Sequence, residues 1–570
     1  MERRMADATH PAETVSGARH LAEALTRYGV THVFYVDAIL RRAMVDMEAL
    51  GIRRVVVHSE ASAAYMADGY ARVSGRPGVC MAQSVGAANL AAALQDPFLA
   101  CSPVVAITGK KPPMFLHRNA YQEVEHPPLF APVTKYQADV VQPEQLPHLL
   151  RQAFRAATTG KPGPVHLDLV GREARELEVA TGLPVPTHEP EYATVPPYRP
   201  QSDAASIARA AAAILAAQRP VLVAGGGVRI SGAAEALVAL AEHRNIPVAT
   251  SVNGKGMIDE RHPLCVGVVG SYSAWCANRV VHEADLVIYV GSQTGDQTTH
   301  NWSVPAVGTR IVQLDLDPAE LGRSYPHTVG VAGDARASLE ALRAALPAHA
   351  GHVAWLARVR AHVAGFAAEH AAMRASDEVP IRPERLCAEL SALLPDDAVL
   401  VSDTGYSAIW VATMIQLTSP RQTFIRAAGS LGWGFPAALG AKCAVPDRPV
   451  VCFTGDGGFW YHLHELETAR RHGINTVTVV NNNNGFSQGI PDVLKQYGGR
   501  PGNPAELYAF GEQVSFAQLA RDLGCVGIRV EAPAEIAPAI REALAANAPA
   551  VVEVMTHFSA RAPNPWTPPG

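Results

Sequence analysis

The sequence predicts an α/β protein made of three doubly wound domains, each a parallel sheet with helices on both faces. Short apolar, β-branched segments alternate with Ala- and Leu-rich segments of helical period along the whole chain, a pattern typical of buried parallel strands joined by helices. At 570 residues the chain is also too long for one hydrophobic core, and it fits about three or four domains of roughly 150 residues. We expect three.

The predicted strands follow one another in this alternating order. Six apolar segments are predicted to be buried strands: Val104–Thr108, Val221–Ala224, Leu286–Val290, Val399–Ser402, Val450–Thr454 and Thr476–Val480. A helix over Trp460–His472 is predicted to join the last two strands in a right-handed crossover.

Two segments interrupt the alternation and set the predicted domain boundaries. Leu183–Gln201 is rich in proline and therefore predicts an extended linker. The segment PIRPERL, from Pro380, follows a long Ala-rich helix predicted for Val353–Met373 and restarts the α/β pattern. We therefore predict domains at 1–185, 202–347 and 378–555, with 556–570 as a flexible tail or a lid.

Composition excludes several classes of function. The net charge of -5 provides no general attraction to nucleic acid or to anionic membranes. No 18-residue window is apolar enough to span a membrane, and the polar start MERRMADATHPAETVSG lacks the apolar run of a signal peptide. The eight scattered cysteines contain no CxxC pair, which argues against a zinc site or a disulfide framework. We expect a cytoplasmic protein that binds a small molecule.

The strongest chemical motif lies in the third predicted domain. Gly455-Asp456-Gly457 directly follows a buried strand, and Asn483 follows the next strand, 27 positions after Asp456. Both sites should lie at the carboxyl edge of the sheet, where such folds bind ligands. Glycines allow the backbone to approach phosphate oxygens, but a carboxylate there would repel a diphosphate unless a cation lies between them.

Magnesium is the cation that this arrangement predicts, because it prefers oxygen ligands from one or two carboxylates, carbonyls, phosphates and water. Asp456, the amide oxygen of Asn483 and the carbonyl of Gly485 are the predicted ligands. The alternative is an ordinary strand-to-helix turn, which a GDG tripeptide alone does not exclude.

The GDG motif followed by paired asparagines at this spacing resembles the thiamine diphosphate-dependent enzymes, in particular the group of acetolactate synthase, oxalyl-CoA decarboxylase and 2-hydroxyacyl-CoA lyase. The resemblance extends from about residue 20 to residue 555. It implies that the three domains are, in order, a pyrimidine-binding domain, a central domain and a diphosphate-binding domain.

The resemblance also implies a catalytic acid in the first domain. In VVVHSEASAAYMADGYARVSGRPGVC, Glu60 follows a β-branched strand and opens a helix at the position of the family's cofactor-activating glutamate. A carboxylic acid there hydrogen-bonds the pyrimidine ring nitrogen, so that the cofactor's own amino group can act as a base. Considered alone, Glu60 could instead be an acid that favours the first turn of a helix.

Further cofactor-binding residues follow from local motifs that resemble those of the family. They come from VSDTGYSAIW, AAGSLGWGFPAALGAK, the GDG turn and the asparagine segment: Asp403, Gly405, Tyr406, Ser407, Gly429, Leu431, Gly455, Gly457, Gly458 and Phe486. Leu431 takes the place of the bulky apolar residue that lies beneath the bent cofactor in the family. The alternative for Leu431 is an ordinary core position.

Four residues are predicted to face the substrate. Tyr121 and Gln122, in RNAYQEVEHPP, resemble the family loop that reaches the reaction centre, and they are also predicted to be catalytic. Ser84 begins SVGAANL, which resembles a loop whose backbone lines the same cavity. Ile39 follows Ala38, which replaces a glycine that is usual in the family, and it predicts a more apolar pocket. As bare sequence, Tyr121 and Gln122 could be surface residues.

The sequence argues against FAD in the central domain. The turn GGGVRISGAAEAL could hold a nucleotide, but GSQTGDQTTHNW stands where acetolactate synthases carry an arginine- and aspartate-rich segment. The predicted cofactors are therefore thiamine diphosphate and Mg²⁺.

The sequence favours a 2-hydroxyacyl-CoA lyase that reversibly forms formyl-CoA and an aldehyde or ketone, because GFSQGIPDVLKQYGG resembles the lyase segment. The substrate would then be a CoA thioester. Two alternatives remain: an acetolactate synthase-like carboligase that acts on free 2-oxo acids, and a non-catalytic nucleotide- or coenzyme-binding protein. The resemblance further implies a homodimer or homotetramer with active sites at the subunit interface.

Overall fold

The computed structural model describes residues 13–37, 39–172, 174–511 and 514–569. It confirms the predicted α/β class, because three six-stranded parallel sheets follow one another along the chain. The chain divides into two compact units: residues 1–71 and 76–197 hold the first sheet, and residues 72–75 and 198–570 hold the other two. Among the described residues, every helix is too short or too polar to cross a lipid bilayer.

The first sheet is fully parallel. Its strands, in spatial order, are Arg53–Val56, His32–Tyr35, Gly78–Gln83, Val104–Lys110, Val165–Val170 and Tyr136–Val140. Numbered along the chain, this order is 2-1-3-4-6-5. The helices of this unit are Gly17–Arg27, Arg41–Ala49, Glu60–Ser74, Gly86–Ala93, Gln95–Leu99, Pro127–Phe130, Leu146–Thr158 and Arg175–Val179. A short antiparallel pair joins Thr14–Val15 to Leu183–Pro184, within the predicted linker.

The central sheet has the order 3-2-1-4-5-6, typical of dinucleotide-binding folds. Its strands, in spatial order, are Cys265–Val268, Val248–Thr250, Pro220–Ala224, Leu286–Val290, Arg310–Asp315 and Val329–Ala332. Its helices are Ala204–Leu215, Gly226–Ile230, Ala234–Arg244, Trp275–Glu283, Asp296–Thr299, Ala335–Ala345 and Val353–Arg374. Asp203 and Asp334 cap two of these helices by accepting hydrogen bonds from backbone N–H groups.

The third sheet repeats the 2-1-3-4-6-5 order of the first. Its strands, in spatial order, are Thr423–Arg426, Val399–Ser402, Val450–Gly455, Val477–Asn482, Ala550–Met555 and Val526–Val530. Its helices are Pro383–Leu393, Tyr406–Met414, Gly434–Ala444, Asp456–His462, Glu465–His472, Ile490–Gln496, Pro504–Leu507, Phe516–Asp522 and Pro533–Ala545. Apolar side chains of these strands and helices form a continuous core.

The crossover segment of the third sheet differs from the prediction of one helix over Trp460–His472. The structure has two helices, Asp456–His462 and Glu465–His472, and the first of them begins at the motif aspartate. The carboxylate of Asp456 therefore lies at a helix N-terminus, where negative charge is favoured.

The C-terminal tail packs against the central domain. The carbonyl of Trp566 accepts a hydrogen bond of 3.0 Å from Nδ2 of Asn278, and the Trp566 ring lies edge-on to His282 with 5.1 Å between centroids. Both partners belong to the helix Trp275–Glu283. The segment 556–570 was predicted to be a flexible tail or a lid. In this structure its residue Trp566 is docked on the central domain, and its role as a lid stays a prediction.

Candidate active site

A cavity of about 460 Å³ opens at the carboxyl edge of the third sheet. It lies there because Gly455 and Asn481 are register partners at the ends of adjacent parallel strands. The structure brings the following predicted residues together in its lining: Gly405, Tyr406, Ser407, Leu431, Gly455, Asp456, Gly457, Gly458, Asn483, Gly485 and Phe486. Six further residues line it and were not predicted: Tyr272, Thr404, Asn481, Ser487, Gln488 and Gly489. Gly429 lies outside this lining and is exposed.

Asp456 lines this cavity and is buried, with 3% of its surface exposed. Its two carboxylate oxygens accept hydrogen bonds of 2.8 Å from the backbone N–H groups of Gly457 and Gly485. Burial raises the pKa of Asp456 to about 7, although these hydrogen bonds oppose the shift. A cation next to the carboxylate would favour its charged form.

Two asparagine side-chain oxygens lie in the same cavity lining as the Asp456 carboxylate and could also coordinate a cation. Nδ2 of Asn483 donates to Oγ of Ser487 at 3.0 Å, and its Oδ1 is buried without a hydrogen-bond partner among the described residues. The same holds for Oδ1 of Asn481, whose side chain is also buried. A buried oxygen that lacks a hydrogen-bond partner costs free energy unless a bound ligand supplies one. A carboxylate, amide oxygens and nearby carbonyls fit the ligand preference of magnesium.

The glycines of the GDG motif leave space that side chains would fill. A Cβ atom on Gly457 would overlap the ring of Phe486, which in turn packs edge-on against Phe510 with 4.8 Å between centroids. Leu431 contributes the bulky apolar group that was predicted for this wall. The cavity therefore combines an oxygen-rich end with an apolar wall, as a ligand with a diphosphate and an aromatic ring would require.

Asp403 lies behind the cavity wall and not in its lining. Its carboxylate accepts hydrogen bonds from the backbone N–H groups of Thr404, Gly432 and Gly434 at 2.7, 3.1 and 3.0 Å. Burial raises its pKa to about 6. Asp403 thus joins the loop that carries Gly405 to the loop that carries Leu431, and its contribution to the cavity is to hold these loops in position.

Glu60 lies at the first turn of the helix Glu60–Ser74, in the N-terminal unit. Nδ2 of Asn89 donates a hydrogen bond of 3.1 Å to its Oε2, and a Cβ atom on Gly86 would overlap its Oε1. The carboxylate is therefore held against the helix Gly86–Ala93, which needs a glycine at its first residue to make room.

The predicted substrate-facing residues lie in different environments. Tyr121 is 78% exposed, whereas Ile39 is 1% exposed and belongs to the apolar core of its unit. Ala38 lies outside the described residues.

Nε2 of Gln83 donates to Oε1 of Gln122 at 2.9 Å and fixes the orientation of that amide. Ser84 is fully buried, and its N–H bonds the carbonyl of Gly109 at 2.9 Å. Substrate contact by all four residues stays a prediction.

A buried polar network that sequence analysis missed supports the Ser84 loop. The His126 ring lies 2.9 Å from Oδ2 of Asp168 through Nδ1 and 3.0 Å from the Ser84 carbonyl through Nε2. Nζ of Lys110 lies 3.2 Å from the same Asp168 oxygen. Burial alone would raise the pKa of Asp168, but the His126 hydrogen bond and the nearby cations hold it below its usual value.

His166 completes this cluster, because its Nε2 lies 2.6 Å from Oγ1 of Thr108, which donates to Asp168. The ligand atoms of His126, His166 and Asp168 are close enough together to hold a metal ion. The Lys110 ammonium already supplies positive charge at Asp168, so we assign the cluster a structural role. It links three segments of the unit to the loop that begins at Ser84.

The fold and the cavity define the class of α/β enzymes that bind a phosphate-containing cofactor at the carboxyl edge of a parallel sheet. Comparison with known proteins specifies the cofactor. Residues 15–129, 207–342 and 403–554 match the N-terminal TPP-binding, central and C-terminal TPP-binding domains of thiamine pyrophosphate enzymes. The chain belongs to the thiamine diphosphate-dependent enzyme family.

Several relatives are similar over almost the entire chain. A probable acetolactate synthase large subunit of Methanocaldococcus jannaschii is 33% identical over 98% of this chain and 94% of its own length. The acetolactate synthase large subunit of Corynebacterium glutamicum is 33% identical over 94% of this chain and 86% of its own. The isozyme 3 large subunit of Escherichia coli is 30% identical over 93% of this chain and 92% of its own.

The network around Asp168 predicts a large loss of stability in Asp168→Asn. Removing this charge leaves Lys110 and His126 without their buried partner, so the free energy of unfolding should fall by about 3 kcal/mol. Asp139→Asn is the matched control, because Asp139 also pairs with Lys110 but is 36% exposed. Its loss should stay within about 1 kcal/mol. Thermal unfolding of both variants measures the difference, and equal melting temperatures would contradict this assignment.

The contact between Gly86 and Glu60 predicts that Gly86→Ala inactivates a folded enzyme. The new methyl group must displace the Glu60 carboxylate, and a misplacement of about 1 Å can cost on the order of 100-fold in rate. Ala88→Ser changes an exposed position of the same helix and should leave the rate unchanged. Steady-state kinetics with saturating cofactor, together with circular dichroism, tests this. Wild-type activity in Gly86→Ala would show that the position of Glu60 is not critical.

Proposed function

We propose that the protein is a magnesium- and thiamine diphosphate-dependent carboligase that acts on free 2-oxo acids. The observation that carries this proposal is the similarity, over at least 93% of this chain, to relatives named acetolactate synthase large subunits. The 2-hydroxyacyl-CoA lyase interpretation, which the sequence alone favoured, has no corresponding support among these relatives. The carboligase, which was its alternative, therefore takes its place.

The diphosphate end of the cofactor would be held through magnesium. Asp456 supplies a carboxylate, Asn483 an unpartnered amide oxygen and Gly485 a backbone carbonyl. The Asp456 carboxylate and a diphosphate would repel each other. A divalent cation bound by these three groups would lie between them and offset that repulsion. The unpartnered Oδ1 of Asn481 offers one more acceptor in the same cavity.

When bound, thiamine diphosphate supplies an electron sink for the carbon atom next to a carbonyl group. The protein's own contribution is to bind, orient and move protons. Glu60, held by Asn89 and by the helix that begins at Gly86, would place its carboxyl group at the pyrimidine ring nitrogen. Leu431 would fix the conformation of the cofactor by its bulk.

Gln122 of the N-terminal unit would recognise a 2-oxo acid through its side-chain amide. Because its Oε1 already accepts from Gln83, its amide nitrogen can donate to a carboxylate or carbonyl oxygen. The left-handed backbone of Gln122, with φ of 60°, sets the direction of the side chain. A free acid would use this donor directly, without a coenzyme A moiety.

We expect no flavin in the central domain. The glycines of its glycine-rich turn meet another strand-end loop, because a Cβ atom on Gly225 or Gly227 would overlap the backbone of Gly291. This close approach accounts for glycine at both positions without a nucleotide. The prediction from GSQTGDQTTHNW, which lacks the arginine- and aspartate-rich pattern, points the same way.

Turnover of pyruvate with added thiamine diphosphate and magnesium tests the proposal. Glu60→Gln should lower the rate by at least about 100-fold, because the acid that orients the cofactor is lost. Glu48→Gln, an exposed acid of the same unit that pairs with Arg54, should keep full activity. Release of formyl-CoA from a 2-hydroxyacyl-CoA, with no pyruvate consumed, would return the lyase interpretation. Turnover of neither substrate would favour the non-catalytic binding protein.

The proposed homo-oligomer makes a distinct prediction, because the resemblance implies that Glu60 and Asp456 of one site come from different subunits. Glu60→Gln and Asp456→Asn should each be inactive. When the two variants are unfolded together and refolded, mixed dimers would contain one site with both native residues. About a quarter of wild-type activity should then return. Activity that stays at the level of the separate variants would contradict a shared site.

A further inference from the structure

A second cavity, of about 980 Å³, lies at the opposite edge of the central sheet from the glycine-rich turn. Gln218 and Arg219 line it and directly precede the strand Pro220–Ala224, whereas Gly225 directly follows that strand. Its other wall is formed by residues 347–349, 351 and 352 and by the first turn of the helix Val353–Arg374. We call this cavity the central cleft. It is separate from the edge at which dinucleotide-binding folds hold their ligands.

The lining of the central cleft is basic. Three arginines and two histidines contribute to it, and no lining residue is acidic: Arg219, Arg244, Arg358, His349 and His352. Two carboxylates lie just outside. Glu283 pairs with Arg358 at 2.8 Å, and Asp285 accepts from the backbone N–H of Arg219 at 2.9 Å. Three guanidinium groups beside two carboxylates leave a surplus positive charge, even with both histidines neutral.

Arg244 provides an incomplete donor within the cleft. Its side chain is 3% exposed, and its Nη1 donates to the carbonyl of Pro347. Its Nε has no hydrogen-bond partner in the part of the chain that the structure describes. A buried cationic donor without a partner costs free energy, and an anionic acceptor would remove that cost.

The helix Val353–Arg374 adds a second, independent feature. It has 22 residues, no acidic residue in its first turn, and no side-chain hydrogen bond to its N-terminus within the described ranges. Val353, Ala354 and Trp355, which lie in its first turn, line the cleft. Their backbone N–H groups and the positive end of the helix dipole favour an anion at this position.

The ring of His352 would favour phosphate over sulfate. Its Nδ1 lies 3.1 Å from the carbonyl of Gln218 and must therefore donate there, which leaves Nε2 as an acceptor in the neutral ring. This Nε2 has no partner among the residues described. A monoprotonated phosphate carries both negative oxygens for Arg244 and one P–OH hydrogen for His352, whereas sulfate carries no such hydrogen at neutral pH.

We propose that the central cleft is a phosphate-binding site, distinct from the cofactor site and not required for the carboligase reaction. Arg244 and the N-terminus of the helix Val353–Arg374 hold the phosphate group. Arg219 and Arg358 lie at the rim and neutralise its remaining charge. The ligand is either free phosphate or the phosphate group of a small metabolite such as a nucleotide.

Calorimetric titration of inorganic phosphate into the cofactor-loaded, desalted enzyme tests this site, because the cofactor already fills the diphosphate cavity. We expect saturable binding by one phosphate per chain. Arg244→Met should weaken it by about tenfold or more, and Arg358→Gln by about threefold, through loss of charge-assisted hydrogen bonds. Arg336→Gln is the matched control for Arg358→Gln, because Arg336 is an exposed arginine of the same domain with its own carboxylate partner, Glu340. It should bind as the wild type does.

Two further titrations identify the source of the phosphate. ADP that binds much more tightly than inorganic phosphate, with the same loss in Arg358→Gln, indicates a nucleotide; equal affinities indicate free phosphate. Sulfate should bind more weakly than phosphate, and His352→Ala should remove that preference. If Arg244→Met does not fold, Arg358→Gln and His352→Ala decide the question. Absence of binding by both phosphate and ADP, or equal binding by all variants, would overturn the proposal.

Discussion

The arrangement at the third sheet depends on how two buried carboxylates are stabilised. Taking a charged carboxylate out of water is costly unless hydrogen bonds or an opposite charge replace the lost hydration. Asp403 accepts three backbone N–H groups and a hydroxyl group, which together tie neighbouring loops to one another. Asp456 accepts the backbone N–H groups of Gly457 and Gly485, and it faces a cavity that contains unpartnered amide oxygens. The hydrogen bonds of Asp403 thus come from the protein itself, whereas the carboxylate of Asp456 is placed to bind a cation.

The same difference separates residues that shape a site from residues that act in it. Both aspartates directly follow a strand of the same sheet, and the sequence alone predicted both as cofactor-binding residues. Only the positions of Gly432 and Gly434, about thirty residues further along the chain, show that the Asp403 carboxylate is used up in holding loops. Residues that hold a site in shape are often found in this way, behind its lining.

Much of the fold could be predicted, because buried parallel strands are continuous apolar segments. The strands Leu286–Val290 and Val399–Ser402 have the predicted bounds, and Val450–Gly455 extends its prediction by one residue. The predicted helix over Trp460–His472 was wrong in its bounds, because a helix can begin within a glycine-rich motif when its N-terminus is needed at the sheet edge. Glycine propensity alone argues against such a start.

The candidate site was predictable where its residues are close together in sequence or match a family motif, as Asp456, Asn483 and Gly485 do. The network of Lys110, His126 and Asp168 was not, because its members come from three separate segments and each is unremarkable alone. Asn481 was overlooked for another reason: it lies among four consecutive asparagines, and only the structure shows which amide oxygens lack a partner. The central cleft likewise depends on contacts between distant segments.

The shared 2-1-3-4-6-5 strand order of the first and third sheets has a consequence for how this enzyme could be altered. Glu60 follows the second strand of one sheet and Leu431 the second strand of the other, while Ser84 and Asp456 each follow a third strand. The two sheets therefore share one architecture but carry different functional residues. These residues differ because the loops that follow corresponding strands differ in sequence. Redesign of the first or the third domain can therefore exchange these loops and keep the apolar strands and helices beneath them, because function depends on the site residues and not on the fold itself.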